Sequence, residues 1–128
     1  MQEPHLFEYA VIRVVPRVER EEFINVGVIL YCPKQKFMQC VFTLDEDRMY
    51  AFSNTLDIEE VKGNIEAFEK ICRGGKAGGP IGLLDAASRF RWLTATRSTV
   101  VQASKVHPGL CKGDAVETLN KLHAQLVL

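Results

Sequence analysis

The sequence predicts an α+β fold, with an antiparallel sheet of about four strands and two to three helices packed on one face. The sheet should be a three-strand meander plus one later strand. Three observations predict this class: β-branched and aromatic runs fill the first third of the chain, the links between them are too short for a crossover helix, and helical periodicity begins only after residue 57. A length of 128 residues with an ordinary globular composition predicts a single domain over 1–128.

Three apolar runs, rich in β-branched and aromatic residues, predict the meander. They cover 9–15, 23–31 and 37–44. Pro16 ends the first run and Pro33 follows the second, and the short links make consecutive runs antiparallel neighbours. The fourth strand is predicted over 98–104, and 105–109 is predicted to be a turn before the last helix.

Strand parity assigns a role to each face of the predicted sheet, because alternate side chains point to opposite sides. One face is uninterruptedly apolar and should meet the helices. Its members are Ala10, Ile12, Val14, Ile24, Val26, Val28, Leu30, Met38, Cys40, Phe42 and Leu44. The opposite face mixes aromatic residues with Arg13, Asn25 and Gln39, which favours a surface for a protein partner or for self-association over a plain solvent face. Gly27 indicates either a bulge or a close approach of another group.

Helical spacing predicts the elements of the second half. A helix begins at Asp57, which heads a capping box, and repeats apolar residues up to Ile71. A flexible glycine connector follows at 74–80, and it lacks the spacing of a phosphate-binding loop. A short helix over 83–92 and a closing amphipathic helix over 114–126 complete the prediction.

The short helix should turn three apolar side chains inward and keep its charges outside. The inward residues are Leu83, Ala87 and Phe90. Asp85 and Arg89 are spaced i, i+4, which predicts that they pair with each other and that Arg89 is structural. Trp92, at the end of this helix, is more typical of a core anchor than of a stacking platform.

Composition and charge narrow the classes of function. Sixteen basic and sixteen acidic residues give a net charge of zero, which argues against a generic nucleic-acid binder. Residues 70–112, however, hold eight Lys or Arg and one acid, a formal charge of +7. This basic segment either neutralises acidic helix faces within the fold or meets an anionic partner, and binding of nucleic acid or a phosphate ligand is the alternative hypothesis.

Cysteine and histidine spacing predicts no metal site. The four cysteines are far apart and form no CxxC pair, and the three histidines stand alone. We interpret the cysteines as small buried thiols, and no cofactor is expected. The N-terminal residues lack a signal-peptide pattern and no apolar run is long enough to span a membrane, so we expect a cytoplasmic protein without a membrane partner.

The segment over 90–102 is the part of the chain whose residue types point most clearly to binding. It combines two arginines, which bind carboxylate or phosphate in two-point geometry, with hydroxyl groups that add donors. Ser98 has no histidine positioned to activate it, so the pattern favours a non-catalytic interaction domain and leaves an enzyme as a less favoured hypothesis. The predicted binding residues are Asn25, Arg91, Arg97, Ser98 and Gln102.

Taken together, four motifs make the chain similar to a bacterial family of small proteins, domain-of-unknown-function family 3037. The motifs are YAVIRVVP at 9–16, EFINVGVIL at 22–30, FRWLT at 90–94, and RSTVVQ at 97–102 with His107-Pro108-Gly109. The resemblance spans nearly the full length and implies no established activity. Members are often encoded near a HipA-like kinase-fold protein, so the resemblance implies a protein partner of that kind.

Overall fold

The computed structural model describes residues 3–128, which form one antiparallel sheet with helices on both of its faces. The strands are β1 His5–Val14, β2 Ile24–Cys32, β3 Phe37–Phe42, β4 Val101–Ala103 and β5 His107–Cys111. The α-helices are α1 Glu46–Phe52, α2 Ile58–Arg73, α3 Gly79–Gly82, α4 Ala86–Leu93 and α5 Ala115–Leu126. The α+β prediction is confirmed, and no helix within these residues is long and apolar enough to cross a membrane.

The sheet order is β3-β2-β1-β4, and β5 pairs with the same edge of β1 as β4 does. The predicted meander of the first three strands is therefore confirmed. Ser104 joins β4 to β5 along this edge, because its N–H donates to the Val11 carbonyl at 2.7 Å and its hydroxyl accepts from the Val11 N–H at 2.8 Å. The 10-residue β1 thus has partners along both sides.

The predicted turn at 105–109 is wrong, because β5 begins at His107. Pro108 and Gly109 are typical turn residues, but both suit this edge strand for separate reasons. A proline lacks a donor and is tolerated at a sheet edge. At Gly109, a Cβ atom would overlap the ring of Phe7, so any larger residue would force this buried ring to move.

A bulge in β2 reverses the parity that the sequence predicts for that strand. The register with β1 shifts between Ile12 and Arg13, with Val26 as the extra residue of β2. As a result Val28 and Leu30 lie on the opposite face from Ile24 and Val26, and the single apolar face of the prediction is wrong. One face instead carries one apolar cluster, and the opposite face carries two.

Helices cover both faces, so the prediction that helices pack on one face only is corrected. Helix α5 packs on the face of Phe7, Val28 and Leu30. Helices α2 and α4 pack on the face of Ala10, Ile12 and Ile29. A sheet with apolar side chains on both faces must bury both, which explains the second helical layer.

Aspartate caps explain where three of the helices begin. The side chains of Asp45, Asp57 and Asp85 each accept a hydrogen bond from the backbone N–H three residues later. The predicted cap at Asp57 is confirmed, through its bond with the Glu60 N–H. The sequence prediction missed α1, and it started α4 three residues too early.

Because the short helix was predicted to start too early, one residue was wrongly expected in the core. Leu83 precedes α4 and is 66% exposed, so it does not point inward as predicted. Phe90 is buried as predicted, and its ring lies 5.4 Å from that of Tyr31 on β2. This contact fixes α4 against the sheet and places its last turn beside α2.

Candidate recognition surface

A cleft of about 440 Å³ opens between α2, α4 and the segment that leads into β4. Its lining is mainly apolar, with a few polar side chains. The lining residues are Glu60, Asn64, Ala67, Phe68, Ile71, Trp92, Leu93, Arg97, Thr99, Val100 and Val101. A concave apolar site with few polar groups is the usual form of a binding site in a small domain.

Trp92 lines this cleft and is 42% exposed, because α4 turns its neighbours Phe90 and Leu93 into the core instead. The guanidinium of Arg97 lies over the indole ring, with Cζ 4.1 Å from the ring centroid. The stack holds the indole against the end of α4. The expectation that Trp92 anchors the core is therefore only half met, since much of the ring remains open to a partner.

Arg97 is also engaged by hydrogen bonds at the end of α4. Its Nη2 donates to the carbonyl of Trp92, and its Nη1 lies 3.4 Å from the Leu93 carbonyl oxygen and 3.5 Å from that of Ala95. The last carbonyls of a helix have no partner within the helix, and a cation there is also favoured by the helix dipole. Arg97 thus serves as a C-terminal cap that shapes one wall of the cleft.

The predicted site residues do not form one surface. Arg97 lines the cleft, whereas Arg91 and Ser98 are exposed and do not line it. Asn25 and Gln102 lie on the other face of the sheet, on β2 and β4. A binding role for these five residues stays a prediction, but the structure divides them into three groups.

Asn25 and Gln102 are brought together by Arg13, which pairs with both of them across β1. Cross-strand partners point to the same face, so the three side chains form a row, here called the Arg13 row. The Arg13 guanidinium lies over the Phe23 ring, with Cζ 3.9 Å from the centroid. The sequence prediction placed Arg13 on the same face as Asn25 but did not include it among the binding residues.

Two polar atoms of the Arg13 row are buried and have no hydrogen-bond partner within residues 3–128. They are Arg13 Nε, a donor, and Asn25 Oδ1, an acceptor. The Asn25 amide nitrogen donates to the Leu126 carbonyl at 3.1 Å, which fixes the orientation of this amide. Gln102 Nε2 donates to the Thr99 carbonyl at 2.8 Å.

Part of the basic segment is engaged in contacts within the fold. Arg89 is structural, as predicted, but through carbonyls: it donates to those of Leu84, Ile71 and Cys72 at 3.0, 3.1 and 2.6 Å. Lys70 Nζ lies 3.3 Å from Glu66. The predicted pairing of Asp85 with Arg89 is replaced by the helix cap, in which Asp85 accepts from the Ser88 N–H at 2.8 Å.

Comparison with known protein families assigns the chain to one of them. A family profile described as "Protein of unknown function (DUF3037)" matches residues 9–127 of the 128. This chain belongs to the DUF3037 family. The match includes both the cleft and the Arg13 row, and it confirms the resemblance seen in the motifs. No curated protein and no solved structure matches the DUF3037 protein significantly.

The cysteines of the DUF3037 protein form two neighbouring pairs, which their distant positions in the sequence did not indicate. A hydrogen bond with Cys72 and then burial raise the pKa of Cys40 far above its ordinary value. Burial and then the proximity of Cys32 raise the pKa of Cys111. Within the described part of the chain, no group of three or more His, Cys, Asp or Glu side chains is placed to hold a metal ion.

Proposed function

We propose that this DUF3037 protein is a non-catalytic interaction domain that recognises a protein partner through the Trp92 cleft. The observation that carries the proposal is the apolar cleft of about 440 Å³ with a half-exposed tryptophan in its wall. A partner would place an apolar side chain between α2 and α4. The surrounding Glu60, Asn64 and Thr99 would supply hydrogen bonds that fix its orientation.

The residue types at the cleft support this use. Tryptophan and arginine are enriched among residues that dominate the energy of protein interfaces. Here the Arg97 stack and cap hold Trp92 in place before a partner arrives, which reduces the entropy lost on binding. The resemblance to the family makes a HipA-like kinase-fold protein the first partner to test.

Calorimetric titration of the purified chain with that HipA-like protein tests the proposal. Trp92→Ala should weaken binding by about thirty-fold, the effect of a central interface residue worth about 2 kcal/mol. Tyr50→Ala is the matched control, because Tyr50 is 46% exposed on α1 and does not line the cleft. It should bind like the wild type.

A second variant separates lost binding from lost folding. Ala67 is exposed on α2 and lines the cleft, so Ala67→Gln occupies the space without removing any packing. It should keep the wild-type melting temperature and still bind at least tenfold more weakly. Wild-type affinity in both cleft variants would refute the surface assignment, and no binding by the wild type would refute the choice of partner.

Nucleic acid is the alternative ligand, and salt distinguishes it. Binding to phosphates through the basic segment should fall steeply between about 50 and 200 mM salt, whereas insertion of an apolar side chain should change little. Tight, salt-sensitive binding of nucleic acid that survives Ala67→Gln would favour the alternative.

A further inference from the structure

Arg13 is an unpaired cation on a sheet face. Within residues 3–128, no carboxylate oxygen lies within 4.0 Å of its guanidinium and the side chain makes no hydrogen bond. Desolvation lowers the pKa of Arg13 from its ordinary value. A half-buried charge without a partner is costly to the fold, so its presence points to a group that the charge binds.

The side chain is held ready for such a group. Its guanidinium lies over the half-exposed ring of Phe23, with Cζ 3.9 Å from the ring centroid. This stack covers one planar face of the guanidinium and fixes its orientation. Asn25 Oδ1, on the neighbouring strand, is a buried acceptor that also lacks a partner. Because Nε is buried, the terminal Nη atoms are the donors that remain for a ligand.

Gln102 completes the arrangement on the other side of Arg13. One N–H of its amide is used by the Thr99 carbonyl at 2.8 Å. An amide nitrogen carries two hydrogens, so a second donor remains on the cross-strand partner of Arg13. Three donors on one face of the sheet suit a planar acceptor with two oxygens.

We propose that Arg13, stacked on Phe23 and flanked across the sheet by Gln102, is a binding site for a carboxylate group. The site lies on the opposite face of the sheet from the Trp92 cleft and goes beyond the function proposed there. Its ligand is an acidic side chain of a protein or a free carboxylic acid, which share this chemistry.

Charge favours a carboxylate over a phosphate. A carboxylate carries one negative charge, which one guanidinium matches, whereas a phosphate ester carries about −1.5 to −2 and prefers several cations. The arginines that follow Arg13 in the chain are already paired: Arg17 with Glu19 at 2.8 Å, and Arg20 with Glu22. Arg48, which lines cavities beside Asn25, donates to the Val127 carbonyl at 3.3 Å.

Nitrogen-15 NMR of the arginine side chains tests the site without any partner. Acetate is titrated to about 100 mM at constant ionic strength, with chloride as the control. The Arg13 side-chain signal and the Gln102 amide signals should shift saturably with acetate and not with chloride. A capped tripeptide with one central glutamate should act like acetate, and its glutamine counterpart should not.

Variants locate the response. Arg13→Gln should abolish it, and Gln102→Leu should weaken it by up to about tenfold, the effect of one hydrogen bond to a charged group. Arg17→Gln is the matched control, since Arg17 is exposed and already paired with Glu19, and it should leave the response unchanged. Arg13→Lys keeps the charge but loses the two-point geometry, so it should bind more weakly while remaining folded.

Each outcome decides the proposal. Tighter binding of the glutamate peptide than of acetate would identify a protein ligand, and equal binding would identify a free carboxylate. No saturable shift, or shifts that persist in Arg13→Gln, would overturn the site. Phosphate binding more than tenfold tighter than acetate would overturn the choice of a carboxylate.

Discussion

Two arginines in this protein stack on aromatic rings in nearly the same way but differ in the hydrogen bonds that their side chains make. Arg97 lies 4.1 Å over Trp92, and Arg13 lies 3.9 Å over Phe23. The Arg97 side chain reaches three backbone carbonyls, whereas the Arg13 side chain has no hydrogen bond within the described residues. A stack alone therefore does not tell a structural arginine from one that is available to a ligand.

The backbone around each arginine explains the difference. Arg97 lies at the end of α4, where the last carbonyls of the helix have no partner of their own. Arg13 lies on β1, which has strands on both sides at this position, so the sheet uses its backbone acceptors. A helix end offers acceptors to a nearby arginine, and a central strand does not.

The largest expected effect on stability is beneath α4, the helix that carries Trp92 and ends at the Arg97 cap. Phe90 is buried under α4, and Phe90→Ala should lower the free energy of unfolding by about 3–5 kcal/mol, because it leaves a cavity in the core. Urea denaturation measures the loss. A loss below about 1 kcal/mol would mean that α4 does not depend on this contact for its position.

Removing the helix cap should have the next largest effect. Arg97→Ala should cost about 1–2 kcal/mol, because carbonyls at the end of α4 lose their donor and Trp92 loses its stack. Arg91→Ala is the control on the same helix, where an exposed side chain should change stability by less than about 0.5 kcal/mol. Equal losses in thermal unfolding would contradict a capping role for Arg97.

The pH dependence of stability gives a third test, which concerns Cys40 on the sheet face under α2. The folded-state pKa of Cys40 is raised by its hydrogen bond with Cys72 and by burial. The unfolded thiol ionises near pH 8.5 while the folded one keeps its proton, so this contribution to stability is complete below that pH and declines above it. From pH 8 to 9.5 the wild type should lose about 1 kcal/mol more than Cys40→Ala in urea denaturation. Parallel curves for the two proteins would contradict the shift.

The smallest effect is expected at Arg13. Arg13→Met removes an unpaired half-buried charge and keeps contact with Phe23, so stability should stay within about 0.5 kcal/mol of the wild type or rise. Thermal unfolding measures this difference. A loss as large as that of Arg97→Ala would show that Arg13 is structural and would remove the contrast between the two stacks.

Local sequence patterns predicted the elements that depend on local physics. The meander followed from short links between β-branched runs, and α2 followed from the cap at Asp57 and its apolar spacing. The parity of β2 did not follow, because the bulge at Val26 depends on how two strands pair. Strand β5 did not follow either, since Pro108 and Gly109 become compatible with a strand only beside β1.

The candidate sites show the same limit. The sequence singled out Arg97, Asn25 and Gln102 by residue type, but it could not say which donors the fold already uses. The availability of Arg13 depends on strands that approach from 25 and 102, far apart in the chain. Its position on the Asn25 face was the one signal in the sequence that could have added it to the predicted site.

The most direct test uses Trp92, the one tryptophan of the chain. Labelling with 5-fluorotryptophan gives a single fluorine NMR signal that reports on the cleft. Titration with the purified HipA-like protein should shift this signal saturably, with the same dissociation constant that calorimetry gives, while acetate should leave it in place. Saturable binding of the partner by calorimetry with an unmoved fluorine signal would contradict the account, because the partner would then bind elsewhere.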